Sequence, residues 1–254
     1  MNRTVPILIP EHLPALAAFA LSNVLVAFDY DGTLAPIAER PEDAHMRPET
    51  HRLLASVATA YPTVVISGRA LADVTAMLSQ VPLWHVYGNH GLEPAGSRRE
   101  VPADTRAWLA QLEPRLPADL GVRIEDKGHT LTLHFRGVRD RARAIAAIEA
   151  AVEALPDVSV LRGREAINLL PRGRGHKGAA LIQARDIFAC HQAIYVGDED
   201  TDEAAFGAGG DHTLAIRVEP SDKSRARYHL GSQGDIDTLL RTLLDLRRRR
   251  LAPG

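Results

Sequence analysis

The hydrophobic positions of this chain fall into short runs separated by longer helical stretches. The first run, Val24–Phe28, is continuous rather than alternating, as in a strand covered on both faces. A helix is expected over Pro48–Ala60, a strand over Thr63–Ile66, a helix reaching residue 78, and a further strand over 83–87. Such βα alternation predicts a parallel sheet. The middle of the chain has a different rhythm. After a helix near 104–116, strands are expected over 122–127 and 130–136, closed by a turn at Gly128. In the second, Leu131, Leu133 and Phe135 alternate with Thr130, Thr132, His134 and Arg136, which gives one buried face and one polar face. A helix over 139–155 follows, with Ile145, Ile148 and Val152 at helical spacing, then strands over 158–162 and 166–170.

Helix-strand-strand thus occurs twice, the pattern of an antiparallel α+β insert. From His176 the βα rhythm resumes: helix Lys177–Ile187, strand 193–196, helix 201–208, strand Thr213–Val218 and a last helix over 236–249. The expected fold class is α/β, a Rossmann-like parallel-sheet core formed by 1–102 and 172–254. The α+β domain, 103–171, is inserted into it, with crossings at 97–102 and 171–175.

Composition narrows the function. The chain has 254 residues, 45% hydrophobic and 24% charged, enough for one large or two modest domains. Thirty Lys+Arg against 32 Asp+Glu leave a formal charge of -2, so no global field gathers nucleic acid. Arg247–Arg250 read as a solvated helix end, where the dipole favours cations. Pro6, Pro10, Glu11 and Pro14 break the N-terminal apolar run, and no window of about 18 apolar residues exists, so neither a leader nor a membrane span is expected. The single cysteine, Cys190, cannot pair within the chain and reads as a packing thiol in a reducing, cytoplasmic setting.

Chemistry gathers at the strand ends. Ligands of a parallel α/β sheet sit beyond the carboxyl ends of its strands, and there stands Asp29-Tyr-Asp-Gly-Thr-Leu34. Two carboxylates so close repel, which calls for a divalent cation or a shared proton. By itself Asp-x-Asp-Gly is more often an Asx turn. The next strand ends in Ser67-Gly68-Arg69, a hydroxyl, a free amide and a cation, although Ser67 alone would also serve as a helix cap. Lys177 opens a helix, where a cation opposes the dipole, as expected if an anion lies nearby. Gly197-Asp-Glu-Asp-Thr-Asp-Glu203 crowds acids at one strand end. Asp198 and Asp202, four residues apart, could both reach one Mg²⁺. The four motifs together, in this order, are far more specific than any one of them.

Taken together, these four motifs resemble those of the haloacid dehalogenase-like phosphatases. Gly88-Asn-His-Gly-Leu-Glu93, Glu125-Asp-Lys-Gly128, His134-Phe-Arg136 and Pro171-Arg-Gly173 further resemble the trehalose-6-phosphate phosphatases, over roughly residues 22 to 220. The resemblance implies a Mg²⁺-dependent phosphatase with Asp29 as nucleophile and Asp31 as general acid and base. Ser67 and Lys177 would bind phosphoryl oxygens. The metal would be held by Asp29, the Asp31 carbonyl, Asp198 and Asp202. It also implies that Gly68, Arg69, Asn89, His90, Glu125, Lys127, His134, Arg136 and Asn168 contact a sugar phosphate, with Arg69 equally able to pair within the core. A trehalose-phosphate synthase is the implied pathway partner, with no nucleic acid and no membrane. Where the family pattern places a Glu three residues before Pro-Arg-Gly, this chain has Asn168, and Glu165 lies on the wrong strand parity to replace it. Another glycosyl phosphate, such as a glycosyl-glycerate phosphate, therefore stands beside trehalose 6-phosphate, and a phosphosugar mutase would share the same core motifs.

Overall fold

A computed structural model describes residues 3–95, 105–163, 165–173 and 175–251. The expected crossing at 97–102 lies outside the described residues, as does Arg174 of the second. In chain order the regular elements begin with β1 (Val5–Pro6), α1 (Leu13–Ala20), β2 (Val24–Phe28), α2 (Pro48–Ala60), β3 (Thr63–Ile66), α3 (Leu71–Met77), β4 (His85–Gly88) and β5 (Glu93–Pro94). Next come α4 (Thr105–Leu112), β6 (Arg123–Asp126), β7 (Leu131–His134), α5 (Arg141–Glu153), β8 (Val158–Arg162) and β9 (Ala166–Pro171). The chain then continues through α6 (Lys177–Ile187), β10 (Gln192–Gly197), α7 (Glu203–Phe206), β11 (Thr213–Val218), β12 (Tyr228–Leu230) and α8 (Ile236–Leu251). It divides into two compact units, one formed by Met1–Ala95 with His176–Gly254, the other by Gly96–Gly175.

In the first unit eight strands form one sheet in the order β1-β12-β11-β10-β2-β3-β4-β5. Neighbours are parallel except β5, which turns back antiparallel against β4. The continuous apolar run of β2 is explained by two cores. Val24, Val26 and Phe28 pack on one face with Leu54, Val57, Leu240 and Leu243. Leu25 and Ala27 pack on the other with Ala180, Leu181 and Ala184. Strands after β2 proceed outward to one side, those from β10 onward to the other. The strand order therefore reverses between β2 and β10, the switch point where doubly wound sheets open a crevice.

The second unit is an antiparallel sheet, β6-β7-β9-β8. Leu131, Leu133, Ile167 and Leu169 pack with Trp108 of α4 and Ile148 of α5. The alternation read from β7 is this buried face. The expected helix over 104–116 is shorter, since α4 gives way to a 3₁₀ turn at Glu113–Arg115, where Pro114 supplies no backbone N–H.

At the N-terminal end, α1 carries Pro14 in its first turn, where the missing N–H costs nothing. Among the described residues no helix is long and apolar enough to cross a membrane. Arg247 is not a solvated end. Its guanidinium lies 4.3 Å over the Tyr61 ring and donates to the carbonyls of Ala60 (3.1 Å) and Ala20 (3.4 Å). Arg248 next to it is exposed and only 3.8 Å from Asp245. Arg247→Ala is therefore expected to destabilise the protein by about 1–3 kcal/mol, through lost stacking and unpaired carbonyls. Arg248→Ala should stay within about 0.5 kcal/mol. Urea unfolding of the two variants checks the difference, and equal effects would contradict it.

Candidate active site

β2 and β10 pair in register from Val24–Gln192 to Phe28–Val196. Their next residues leave the sheet together at the switch point. The backbone N–H of Asp29 still donates to the Val196 carbonyl (2.9 Å), and two residues later β10 delivers Asp198. Beyond Asp29 the chain reverses within one turn. Gly32 takes φ 74° and its N–H donates to the Ala35 carbonyl at 2.8 Å. A Cβ there would lie 2.2 Å from an Asp198 carboxylate oxygen, so glycine is required both by the backbone and by the neighbour.

Lys177 opens α6, and His176 caps that helix by accepting from the Ala179 N–H at 3.1 Å. The lysine is 2% exposed. Its Nζ lies 2.9 Å from Asp29 Oδ1 and 2.8 Å from Asp202 Oδ1. Burial opposes the ammonium, but Asp202 and Asp29 outweigh it and hold Lys177 charged, above the usual lysine range. The carboxylates carry the opposite strain. Burial first, then Asp202, raises Asp29 well above the ordinary range despite the pull of Lys177. Asp198 is pushed up to about 9, again by burial first and then by Asp29 and Asp202.

The acids of 198–203 sort by role. Asp200 is exposed, and Glu203 pairs with Arg217 at 3.0 Å. Glu199 caps the following 3₁₀ turn. Asp202 turns inward and is filled by protein donors. Its Oδ1 accepts from Lys177 and from the Tyr195 hydroxyl (2.7 Å), its Oδ2 from the N–H groups of Asp198 (3.1 Å) and Glu199 (3.0 Å). Asp198 Oδ1 is buried with no partner.

Oxygens of Asp29, Asp198 and Asp202 lie within 4.8 Å of one another, a set that could hold an ion. With all three carboxylates ionised, one ammonium would leave the pocket two charges negative, which a divalent cation would neutralise. All-oxygen donors suit a hard ion. The engaged oxygens of Asp202 make Asp29 and Asp198 the better direct ligands, with Asp202 holding Lys177.

Asp31 is 40% exposed at its side chain and is gripped by Arg69, Nε to Oδ2 at 2.7 Å and Nη2 to Oδ1 at 2.6 Å. Arg69 also donates to the Pro41 carbonyl at 2.7 Å. Of the two roles open to it, this arrangement displays the ion pair. Ser67 is fully buried at the end of β3, its hydroxyl accepting from the Arg69 N–H at 3.1 Å. Asn89 and His90 follow β4 with φ 48° and 57°, left-handed conformations that Asn and His tolerate better than most residues. The Asn89 N–H donates to the Arg69 carbonyl (2.7 Å) and the His90 N–H to that of Ser67 (2.8 Å). A Cβ on Gly68 would meet the His90 ring at 2.6 Å. One network thus joins Ser67, Gly68, Arg69, Asn89 and His90.

The polar face of the second unit has its own order. Glu125, Thr132 and Asn168 stand side by side across β6, β7 and β9. Thr132 donates to Asn168 Oδ1 at 2.9 Å, and His134 Nε2 lies 2.6 Å from Glu125 Oε2. That hydrogen bond, helped by Lys127, holds the Glu125 carboxyl down at about 2. Arg136 pairs with Glu165 at 2.8 Å, and Arg141 shares the same carboxylate at 3.1 Å.

A buried carboxylate beside a cation, with further acids close by, fits phosphoryl-transfer chemistry. The trehalose-phosphatase family profile matches residues 27–233, and the chain belongs to that family. A trehalose-phosphate phosphatase of Mycobacterium tuberculosis is 35% identical over 229 residues, 82% of this chain and 58% of the relative. A probable trehalose-phosphate phosphatase of Oryza sativa subsp. japonica is 28% identical, covering 91% of this chain and 72% of its own length. The chain thus spans little more than half the length of its mycobacterial relatives. The C-terminal domain of the C. albicans trehalose-6-phosphate phosphatase superposes with a TM-score of 0.77 at 22% identity, covering 98% of this chain and 99% of that domain. A phosphatase of the haloalkanoate (HAD) superfamily from Bacteroides thetaiotaomicron shares the fold at a TM-score of 0.64 and 16% identity, covering 89% of this chain and 96% of that one.

The missing Cβ at Gly32 gives a direct test of the cluster. Gly32→Ala must displace Asp198 and strain the turn. If the cluster holds a divalent cation, the variant is expected to bind Mg²⁺ at least about tenfold more weakly, since losing a ligand's placement costs more than about 1.4 kcal/mol. Isothermal titration calorimetry checks this, and unchanged affinity would remove Asp198 from the metal site.

Proposed function

We propose that this chain is a Mg²⁺-dependent phosphatase that hydrolyses trehalose 6-phosphate to trehalose and phosphate through a phosphoryl-Asp29 intermediate. The observation that carries the reading is the buried Asp29 carboxylate held 2.9 Å from the Lys177 ammonium, with oxygens of Asp198 and Asp202 within 4.8 Å of its own. Mg²⁺ held by Asp29, Asp198 and the Asp31 carbonyl would offset charge on the phosphoryl oxygens and on the nucleophile.

An Asp29 oxygen attacks phosphorus as the bond to the sugar oxygen breaks. Lys177 holds the other carboxylate oxygen, so that the nucleophile enters already oriented. The leaving alkoxide takes a proton from Asp31. In the second half, Asp31 takes a proton from water, whose oxygen displaces Asp29 from phosphorus and releases inorganic phosphate. Both steps need Asp31 to leave the Arg69 grip. Ser67 and Lys177 donate to the equatorial oxygens, where charge accumulates. Glu125, Lys127, His134 and Asn168 offer hydroxyl-binding groups for the sugar. We assign the enzyme to the cytoplasm, downstream of a trehalose-phosphate synthase, on its single buried thiol and its substrate class.

A specific observation keeps a second sugar in play. Asn168 is neutral where the family pattern carries a glutamate, and its carbonyl oxygen is already engaged by Thr132. Free-phosphate release from a panel of sugar phosphates, with Mg²⁺ and with EDTA, tests both readings. Trehalose 6-phosphate is expected to be the best substrate, with turnover abolished by EDTA and reduced at least about 10³-fold in Asp29→Asn. Preference for another glycosyl phosphate would transfer the assignment to it. Isomerisation without phosphate release would indicate a mutase, and Asp29→Asn activity within about tenfold of wild type would exclude the covalent route.

A further inference from the structure

Lys177 is held by two carboxylate oxygens, and only one of them, on Asp202, is free of the chemistry. What fixes that oxygen fixes the lysine. Asp202 Oδ2 is tied by two backbone N–H groups, but Oδ1 has a second side-chain donor, the Tyr195 hydroxyl at 2.7 Å. Tyr195 sits in the middle of β10, among Ala193, Ile194 and Val196, and is completely buried. Its ring packs edge-on against Phe206 at 5.8 Å. A hydroxyl in so apolar a strand is costly unless satisfied, and here the acceptor is the residue that orients Lys177. The seat is tight on its other side as well, since a Cβ on Gly197 would meet the Asp202 carboxylate carbon at 2.3 Å.

We propose that Tyr195 is a positioning residue for phosphoryl transfer: its hydroxyl centres Asp202 Oδ1, which keeps Lys177 shared between Asp202 and Asp29. The inference rests on the reading of Asp29 and Lys177 given above. A phenol suits this role because it donates without adding charge. It steadies the Asp202 carboxylate and leaves the pocket's demand for a divalent cation intact. A lysine or arginine in its place would neutralise that demand. Without the hydroxyl, Lys177 becomes the sole side-chain donor to Oδ1 and is no longer centred. Its aim at the phosphoryl oxygens then loosens where transition-state charge is greatest.

Tyr195→Phe removes one oxygen and keeps the ring packing. A matched control exists in Tyr87, a buried tyrosine on β4 whose hydroxyl has no hydrogen-bond partner. Both variants would be assayed with the wild type on trehalose 6-phosphate, with orthovanadate and inorganic phosphate as inhibitors and melting followed in parallel. For Tyr195→Phe, kcat is expected to fall about 10- to 150-fold, the loss of one hydrogen bond to a charged group. KM and phosphate inhibition should stay within about twofold, whereas orthovanadate, which mimics the transition state, should weaken in step with kcat. Tyr87→Phe should match the wild type. Unchanged kcat in Tyr195→Phe would overturn the proposal. So would a loss of melting temperature with kcat and vanadate affinity intact, since Tyr195 would then serve packing alone. A wild type without phosphatase activity would instead refute the underlying reading of the site, a result distinguishable from either.

Discussion

A single buried ammonium organises the first unit of this protein. Lys177 stands between Asp29 and Asp202 within 3 Å of each, in an interior where isolated charge is expensive. The pair of contacts joins three elements far apart in sequence: the end of β2, the start of α6 and the turn after β10. Each is shaped to allow it. Gly32 and Gly197 lack the Cβ atoms that would strike Asp198 and Asp202, and His176 caps the helix so that Lys177 can occupy its first position. The arrangement stabilises the fold less than it specifies it, because one ammonium cannot balance three inward carboxylates. The residual charge is the basis of the function assigned to the site.

Much of this was legible in the sequence because parallel sheets write their architecture plainly. The unbroken apolar run of β2 requires two cores, and two are found. The alternation of β7 requires one, and its leucines line it. Motifs at strand ends predicted a common edge, and the pairing of β2 with β10 brings Asp29 and Asp198 to the switch point. The sorting of the acids in 198–203 was not legible. Spacing puts Asp198 and Asp202 on one side but cannot reveal that Asp202 spends its oxygens on four protein donors.

Other features were missed for identifiable reasons. Nothing in the sequence singles out Tyr195, and the only cue is a hydroxyl in an otherwise aliphatic strand. Arg247 looked like a solvated helix end because its partners are backbone carbonyls and the Tyr61 ring, which carry no sequence signature. β1, β5 and β12 are two or three residues long, too short for any periodicity. The grip of Arg69 on Asp31 combines two motif residues 38 positions apart, and sequence alone left ion pair and ligand contact equally open.

The central claim is that the three inward carboxylates of Asp29, Asp198 and Asp202 call for a divalent cation. Asp198, pushed up to about 9 chiefly by burial, destabilises the metal-free fold increasingly as pH rises from its unfolded value near about 4. Thermal unfolding of wild type and Asp198→Asn across a Mg²⁺ titration at neutral pH tests this most directly. The account predicts that the metal-free variant melts above the metal-free wild type. Wild-type Tm should climb with Mg²⁺ by mass action, while the variant's remains flat. A variant that melts lower without metal, or that responds to Mg²⁺ as the wild type does, would contradict it.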